Sequence, residues 1–402
     1  MRAGQAHGAG RFSPAAKKSA LGQGLLAPPP KGRTARAWAE IDLAALRRNA
    51  QVLQSALPAG CLLMPVLKAN AYGHGLALAG RALSRAGVRA FAVATLEEGV
   101  QLRRAGVRGE ILILGYTPAA CAWRLFVWGL TQTVADAAHA RALSAAGLPL
   151  KVHIALDTGM HRLGLPAATP EDLEALREVF LLPGLEIRGV YSHLCTVEGR
   201  TAEDAAFVQT QTDAFFAAVE WLRAAGFDPG RVHLQASYGI LQLPGLACGY
   251  ARAGVAVLGA VRADVKNPLP LVPVLSLRAR VACVRRVPAG QTAGYARAFT
   301  ARRETLLATV CIGFVDGEPR NLGGSGASLL LRGRRAPVVG RVCMDQLLLD
   351  VTDIPDAAPG DLVTLIGRDG EEEVTAVELA GYGSTVPALL GRLAARLPRI
   401  AV

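Results

Sequence analysis

The sequence predicts an α/β protein, a (β/α)8 TIM barrel followed by a C-terminal all-β domain. Three observations carry this. From Cys61 onward, short apolar runs alternate with Ala, Leu and Arg rich helical stretches, eight times over about 200 residues. Past Gly259 the alternation gives way to short strands punctuated by Gly, Pro and Asp. The chain, at 402 residues, is also too long for one ordinary domain.

The expected division is a disordered basic tail over 1–36, the barrel over 37–262 and the β domain over 263–402. Residues 1–36 hold seven Lys and Arg and no acid, so only +5 of the formal +12 belongs to the remainder. That part is Gly, Ala and Pro rich and aperiodic, which predicts disorder. The charge therefore sits in a tail without interleaved aromatics, and no nucleic-acid partner is expected. No run reaches the roughly 18 uncharged apolar residues of a membrane span, and no secretory signal is legible, so no membrane partner is expected either. Seven scattered cysteines without CxxC spacing predict reduced thiols in the cytoplasm and no metal site.

Along the chain, 37–42 is a short strand, free to join either domain, and Asp42 caps a helix marked by Leu43, Leu46, Asn49, Leu53 and Leu57. The barrel strands are expected at 61–67, 90–95, 111–115, 131–135, 149–156, 186–192, 231–236 and 250–258. A proline-rich crossing, Pro268 to Pro273, leads to β-domain strands at 275–284, 304–312, 328–331, 336–342, 346–351 and 362–366.

The first barrel strand ends on Lys68, and Tyr72-Gly73-His74-Gly75 follows before Leu76 opens a helix. A lysine desolvated at a strand end loses pKa and becomes the nucleophilic amine that a Schiff base with an aldehyde cofactor needs. The glycines let backbone approach a phosphate there. A lone lysine after a strand more often just snorkels to water. Barrel active sites, however, lie at the carboxyl ends of the strands, and that rim collects Lys68, the Asp157–Arg162 segment, His193, Ser237 and Arg252.

VLKANAYGHG (66–75) resembles the pyridoxal-phosphate lysine motif of the alanine racemase family. The resemblance implies that Lys68 forms the Schiff base and that Tyr72 holds the cofactor phosphate. It extends through HIALDTGMHRLG, YSHL, ASY and YARAGV. These imply Arg162 at the cofactor's phenolic oxygen, His193 beside its ring, Ser237 with the Gly254 and Val255 amides at its phosphate, and Arg252 at the pyridine nitrogen. An arginine there gives up no proton and leaves the ring a shallow electron sink, which suits proton removal and return.

In the β domain, GYARAF resembles the segment carrying a second catalytic base, Tyr295, and IGFVDGEPR resembles the segment in which Phe314 stands where a tyrosine lining the substrate entrance is usual. GRVCMDQ implies Met344 and Asp345 around the substrate carboxylate. The family implies a homodimer with shared active sites, a small amino acid as substrate and D-alanine for peptidoglycan as product. GRVCMDQLLLDVT and ASYGILQLPGL look closer to the racemase domain of serine/alanine racemases. Two departures stand out: Ala155 replaces a lysine that orients Arg162, and Pro387-Ala388 replaces tyrosine-glutamate or asparagine-glutamate. They leave open a serine or broad-specificity racemase, a degenerate regulator, or a cofactor carrier without turnover. Carriers lack the β domain, so Tyr295 and GRVCMDQ speak against the last.

Overall fold

The computed structural model describes residues 34–262, 269–317, 320 and 322–402. The expected tail lies outside these residues as far as 33, as do Pro268 of the proline-rich crossing and Glu318-Pro319.

Eight parallel strands close the barrel. In chain order after β1 (Ala37–Ile41) they are β2 (Leu62–Pro65), β3 (Ala90–Val93), β4 (Glu110–Ile113), β5 (Thr131–Val134), β6 (Leu150–Asp157), β7 (Leu185–Tyr191), β8 (Arg231–His233) and β9 (Tyr250–Ala253). Strands β3 to β8 pair in sequence order, and β9 pairs with β2. The seams close through a Val66–Ala92 bridge and through Arg252 N donating to Gln235 O at 3.1 Å. Parallel strands are covered on both faces, which explains the unbroken apolar runs. The last run, expected to be extended over 250–258, leaves the strand after Ala253 and turns, still buried, where its Gly254 and Ala256 amides donate to Ser237 Oγ.

The helices between strands begin where the sequence supplies caps. Asp42 accepts from Ala44 N and Ala45 N, both at 2.8 Å, to open Leu43–Ser55, and Thr201 with Asp204 forms a capping box for Ala202–Ala224.

The second domain is a nine-stranded sheet among the described residues. Strand β1 belongs to it, antiparallel to Leu275–Val287 and parallel to Arg399–Ala401, so the first and last strands described share one sheet. Leu275–Val287 also pairs with Leu362–Asp369 and with Thr305–Val310, bending the sheet around its own apolar interior. No helix among the described residues is long and apolar enough to cross a membrane.

Candidate active site

A cavity of about 480 Å³ opens at the carboxyl ends of the barrel strands. Lys68, Tyr72, Arg162, His193, Ser237, Arg252, Gly254 and Val255 all line it. Eight residues from five separate stretches of sequence thus meet on one rim, where the barrel rule placed them.

Lys68 is held by an unusual turn. Ala69, Asn70, Ala71 and Tyr72 have φ of 53°, 56°, 54° and 48°, a short left-handed helix of non-glycine residues. Such backbone costs roughly 1–2 kcal/mol per residue, so contacts elsewhere must outweigh it. Asn70 Oδ1 accepts from Leu76 N at 2.7 Å, and Glu98 Oε1 accepts from Asn70 N at 3.3 Å. Behind the turn a β-carbon on Gly73 would lie 2.2 Å from Leu390 O, so the β domain packs directly on its back. Lys68 itself is half-buried, and burial, followed by the charge of Arg162, lowers its pKa against the opposing pull of Glu98.

One end of the cavity is built from Tyr72, Ser237 and the turn after β9. Ser237 Oγ accepts from Gly254 N at 2.9 Å and Ala256 N at 3.2 Å, which leaves its hydroxyl proton to donate into the cavity. A β-carbon on Gly254 would stand 2.8 Å from the Tyr72 hydroxyl oxygen. Burial and the nearby Glu98 push the Tyr72 phenol up to about 12, so it stays a neutral donor.

At the other end Arg252 is buried and fixed. Its Nη2 donates to Ser192 O at 2.7 Å and Leu234 O at 3.1 Å, and its Nη1 to His233 O at 3.1 Å and His233 Nδ1 at 2.7 Å. Its guanidinium carbon sits 4.9 Å from the centre of the Tyr191 ring. His193 is kept neutral, its pKa pulled down to about 3 by burial and then by Arg252, Arg162 and Lys68. Arg162 is exposed at the mouth, and no carboxylate among the described residues pairs with it; Ala155, also lining the cavity, offers it nothing.

The remaining expected site residues lie outside this cavity. Tyr295 is 66 % exposed and Met344 54 % exposed. Phe314 and Asp345 sit beside Met344: Phe314 N donates to Cys343 O at 3.0 Å, and Asp345 Oδ1 accepts from Arg396 Nη2 at 2.7 Å. Four residues expected at one active site therefore do not line this cavity. The reading from sequence missed Tyr191 and Glu198, which also line the cavity with Met160 of the expected Asp157–Arg162 segment; only the place of Tyr191 at a strand end could have drawn attention to it. Pro387 lines it as well.

The cavity's donor set fits a phosphorylated aldehyde cofactor: a basic-side amine of lowered pKa, a hydroxyl and phenol cradle closed by a glycine, and a fixed arginine opposite. A barrel of this connectivity with such a lysine site defines a pyridoxal-phosphate enzyme class. The chain belongs to the alanine racemase family: its N-terminal domain model ("Alanine racemase, N-terminal domain") matches residues 41–262 and its C-terminal domain model residues 274–401. It is 40 % identical over 357 residues to an alanine racemase of Geobacter sp. (strain M21), covering 87 % of this chain and 93 % of that one. It is 39 % identical over 368 residues to an amino-acid racemase of Enterococcus faecalis, covering 90 % of this chain but spanning only about half (51 %) of that relative. Among solved structures, alanine racemase from Bacillus anthracis with bound L-Ala-P aligns with a TM-score of 0.84 at 32 % identity, covering 91 % of this chain and 95 % of that one.

Proposed function

We propose that this protein interconverts L- and D-alanine with pyridoxal phosphate, as a homodimer whose two active sites are each completed by the partner's β domain. The observation that carries the reading is the single cavity that gathers Lys68, the phosphate cradle and Arg252. Pyridoxal phosphate supplies an aldehyde that an amine can capture and a ring that draws electron density from the substrate's Cα.

The chain's own residues supply the rest. Lys68, its pKa lowered by burial and then by Arg162, acts as base on the D face. Ser237, Tyr72 and the turn after β9 would hold the phosphate, and Arg252 would serve the ring nitrogen as a donor that does not release its proton. Tyr295 acts on the L face, with Met344 and Asp345 around the substrate carboxylate and Phe314 at the entrance. None of these four lines the cavity of its own chain, and a two-fold partner would bring them to the other barrel. Arg162 stands at the cavity mouth without the anionic support that a carbamylated lysine at 155 would give. The product serves as the D-alanine of the cell wall, and the enzyme works in the cytoplasm.

A second reading, a broader racemase acting on serine too, is favoured by Pro387 on the cavity wall and by the likeness to the Enterococcus faecalis amino-acid racemase. Chiral chromatography of L-alanine and L-serine after incubation with purified protein and pyridoxal phosphate tests both. Equal D- and L-alanine is expected, with slower appearance of D-serine. Cofactor binding without either product would leave the degenerate reading standing.

A further inference from the structure

A column of buried polar side chains runs down the inside of the barrel from Arg252 to its opposite mouth. His233 Nδ1 lies 2.7 Å from Arg252 Nη1, His233 Nε2 lies 2.8 Å from His153 Nδ1, and His153 Nε2 lies 2.8 Å from Oε1 of Glu110. The last contact falls outside a linear hydrogen bond, yet neither of its atoms has another partner among the described residues. Both imidazoles are fully buried, and Glu110, at the start of β4, is 17 % exposed on its side chain.

The chemistry of the two ends orients the column. Arginine only donates, so His233 Nδ1 accepts and its proton is on Nε2. His153 Nδ1 must then accept, which puts its proton on Nε2, facing a carboxylate that only accepts. The fold makes room for this arrangement: a β-carbon on Gly189 would stand 2.6 Å from Cε1 and 2.8 Å from Nδ1 of His153. Tyr250, whose hydroxyl donates to Glu110 Oε2 at 2.7 Å, fixes the carboxylate from its other side. A barrel interior is normally filled by branched apolar side chains, so this column has a cost that packing alone does not explain.

We infer that Glu110 is a positioning residue for Arg252, acting through His153 and His233 to make His233 Nδ1 a fixed, strengthened acceptor for the guanidinium. The carboxylate at the amino-terminal mouth thereby sets how strongly Arg252 donates at the opposite rim. What Arg252 donates to rests on the function proposed above; the column itself does not. Carboxylates behind ligating histidines act in the same way at metal sites, where removing them costs roughly 10–100-fold.

The test uses the full-length protein with and without added pyridoxal phosphate, comparing Glu110→Gln with Tyr250→Phe. The first keeps an acceptor for His153 and removes only the charge; the second removes the other bond to Glu110 and leaves the column intact. Nitrogen-15 spectra of histidine-labelled wild type are expected to show both His153 and His233 protonated on Nε2 alone. In Glu110→Gln the His233 Nδ1 signal should move toward that of a free acceptor, the absorption of bound cofactor should shift, and kcat/KM for alanine should fall about tenfold through kcat. Tyr250→Phe should leave all three within about twofold. Indistinguishable spectra for the two variants, or a wild-type His233 protonated on Nδ1, would overturn the inference. The wild-type tautomers need no variant to fold, and a protein that binds no cofactor would sink the functional reading while the nitrogen spectra still decide this one.

Discussion

A β-carbon on Gly254 would stand 2.8 Å from the phenolic oxygen of Tyr72, so the backbone after β9 and the lysine turn are in contact across the phosphate cradle. Gly254→Ala must move the phenol or the strand, at roughly 1–3 kcal/mol for overpacking. Cofactor affinity, titrated by absorbance, should drop on the order of tenfold. In a Tyr72→Phe background the same change should cost much less, because the atom it strikes is gone. Equal losses in both backgrounds would show that the cradle does not work through this contact.

The charges around Lys68 pull in opposite directions. Burial and then Arg162 lower its pKa, while Glu98 raises it. Covalent capture of the cofactor, read as borohydride-stable incorporation against pH, needs the neutral amine. Arg162→Gln should therefore move the midpoint of capture to higher pH, and Glu98→Gln to lower pH. Lys68→Ala should abolish incorporation. Shifts of the same sign in the two charge variants would contradict this electrostatic account.

Asp316 anchors the β domain. Its carboxylate is fully buried, accepts from Arg36 at 2.6 and 3.0 Å and from Arg396 at 2.7 Å, and lies beside the Phe314 segment. Burial raises its pKa, but the two arginines and Gly313 N outweigh that and hold it below the ordinary value. A carboxylate with a depressed folded pKa contributes stability that is complete above its unfolded value, about 3.9, and is lost as pH falls through the folded one. Asp316→Asn should cost about 3 kcal/mol at neutral pH by chemical denaturation, since it leaves the arginines facing a buried neutral group. It should also flatten the loss of stability below about pH 4. An unchanged acid limb would mean that other carboxylates govern it.

Strand ends were the legible part of this molecule. An apolar run that stops on Lys68, His193 or Ser237 announces both the barrel and its rim, because side chains at the carboxyl ends are the ones free to face a ligand. The left-handed turn was not legible: Ala69 and Ala71 have no local preference for positive φ, and only Glu98, Asn70 and the packing of Leu390 on Gly73 impose it. The inner column escaped for another reason. His153, His233 and Glu110 sit inside strands where inward and outward positions look alike in sequence, and only the closed barrel brings them together. Residues of the β domain were legible by resemblance to a family motif, while their distance from the cavity depends on the tertiary fold.

Tyr295 and Lys68 are the pair to use for the dimer. Tyr295 is largely exposed, on a face of the β domain that does not line its own chain's cavity. If it serves the partner, Lys68→Ala and Tyr295→Phe protein, each inactive, should regain activity on mixing, toward one intact site in a hybrid dimer. Absence of rescue despite demonstrated subunit exchange would place both bases in one chain.

Pro387 stands on the cavity wall near the start of the helix Val386–Gly391, where a missing amide proton costs little, so substitutions there should leave the fold intact. Its compact ring presents no hydrogen-bonding group, which leaves space for a β-hydroxyl without a partner for it. A site of that kind rejects an added hydroxyl only weakly, by about a hundredfold in known apolar pockets. Alanine should be preferred and serine turned over measurably. Pro387→Asn adds an amide able to bond the hydroxyl, and should shift the ratio of kcat/KM values toward serine. Pro387→Tyr refills the space with a ring, and should shift the ratio toward alanine. Each shift should reach about tenfold, near 1.4 kcal/mol of differential transition-state binding. Ratios that stay within about twofold in both variants, under roughly 0.4 kcal/mol, would mean that the substrate does not touch this wall and that specificity is set elsewhere in the site.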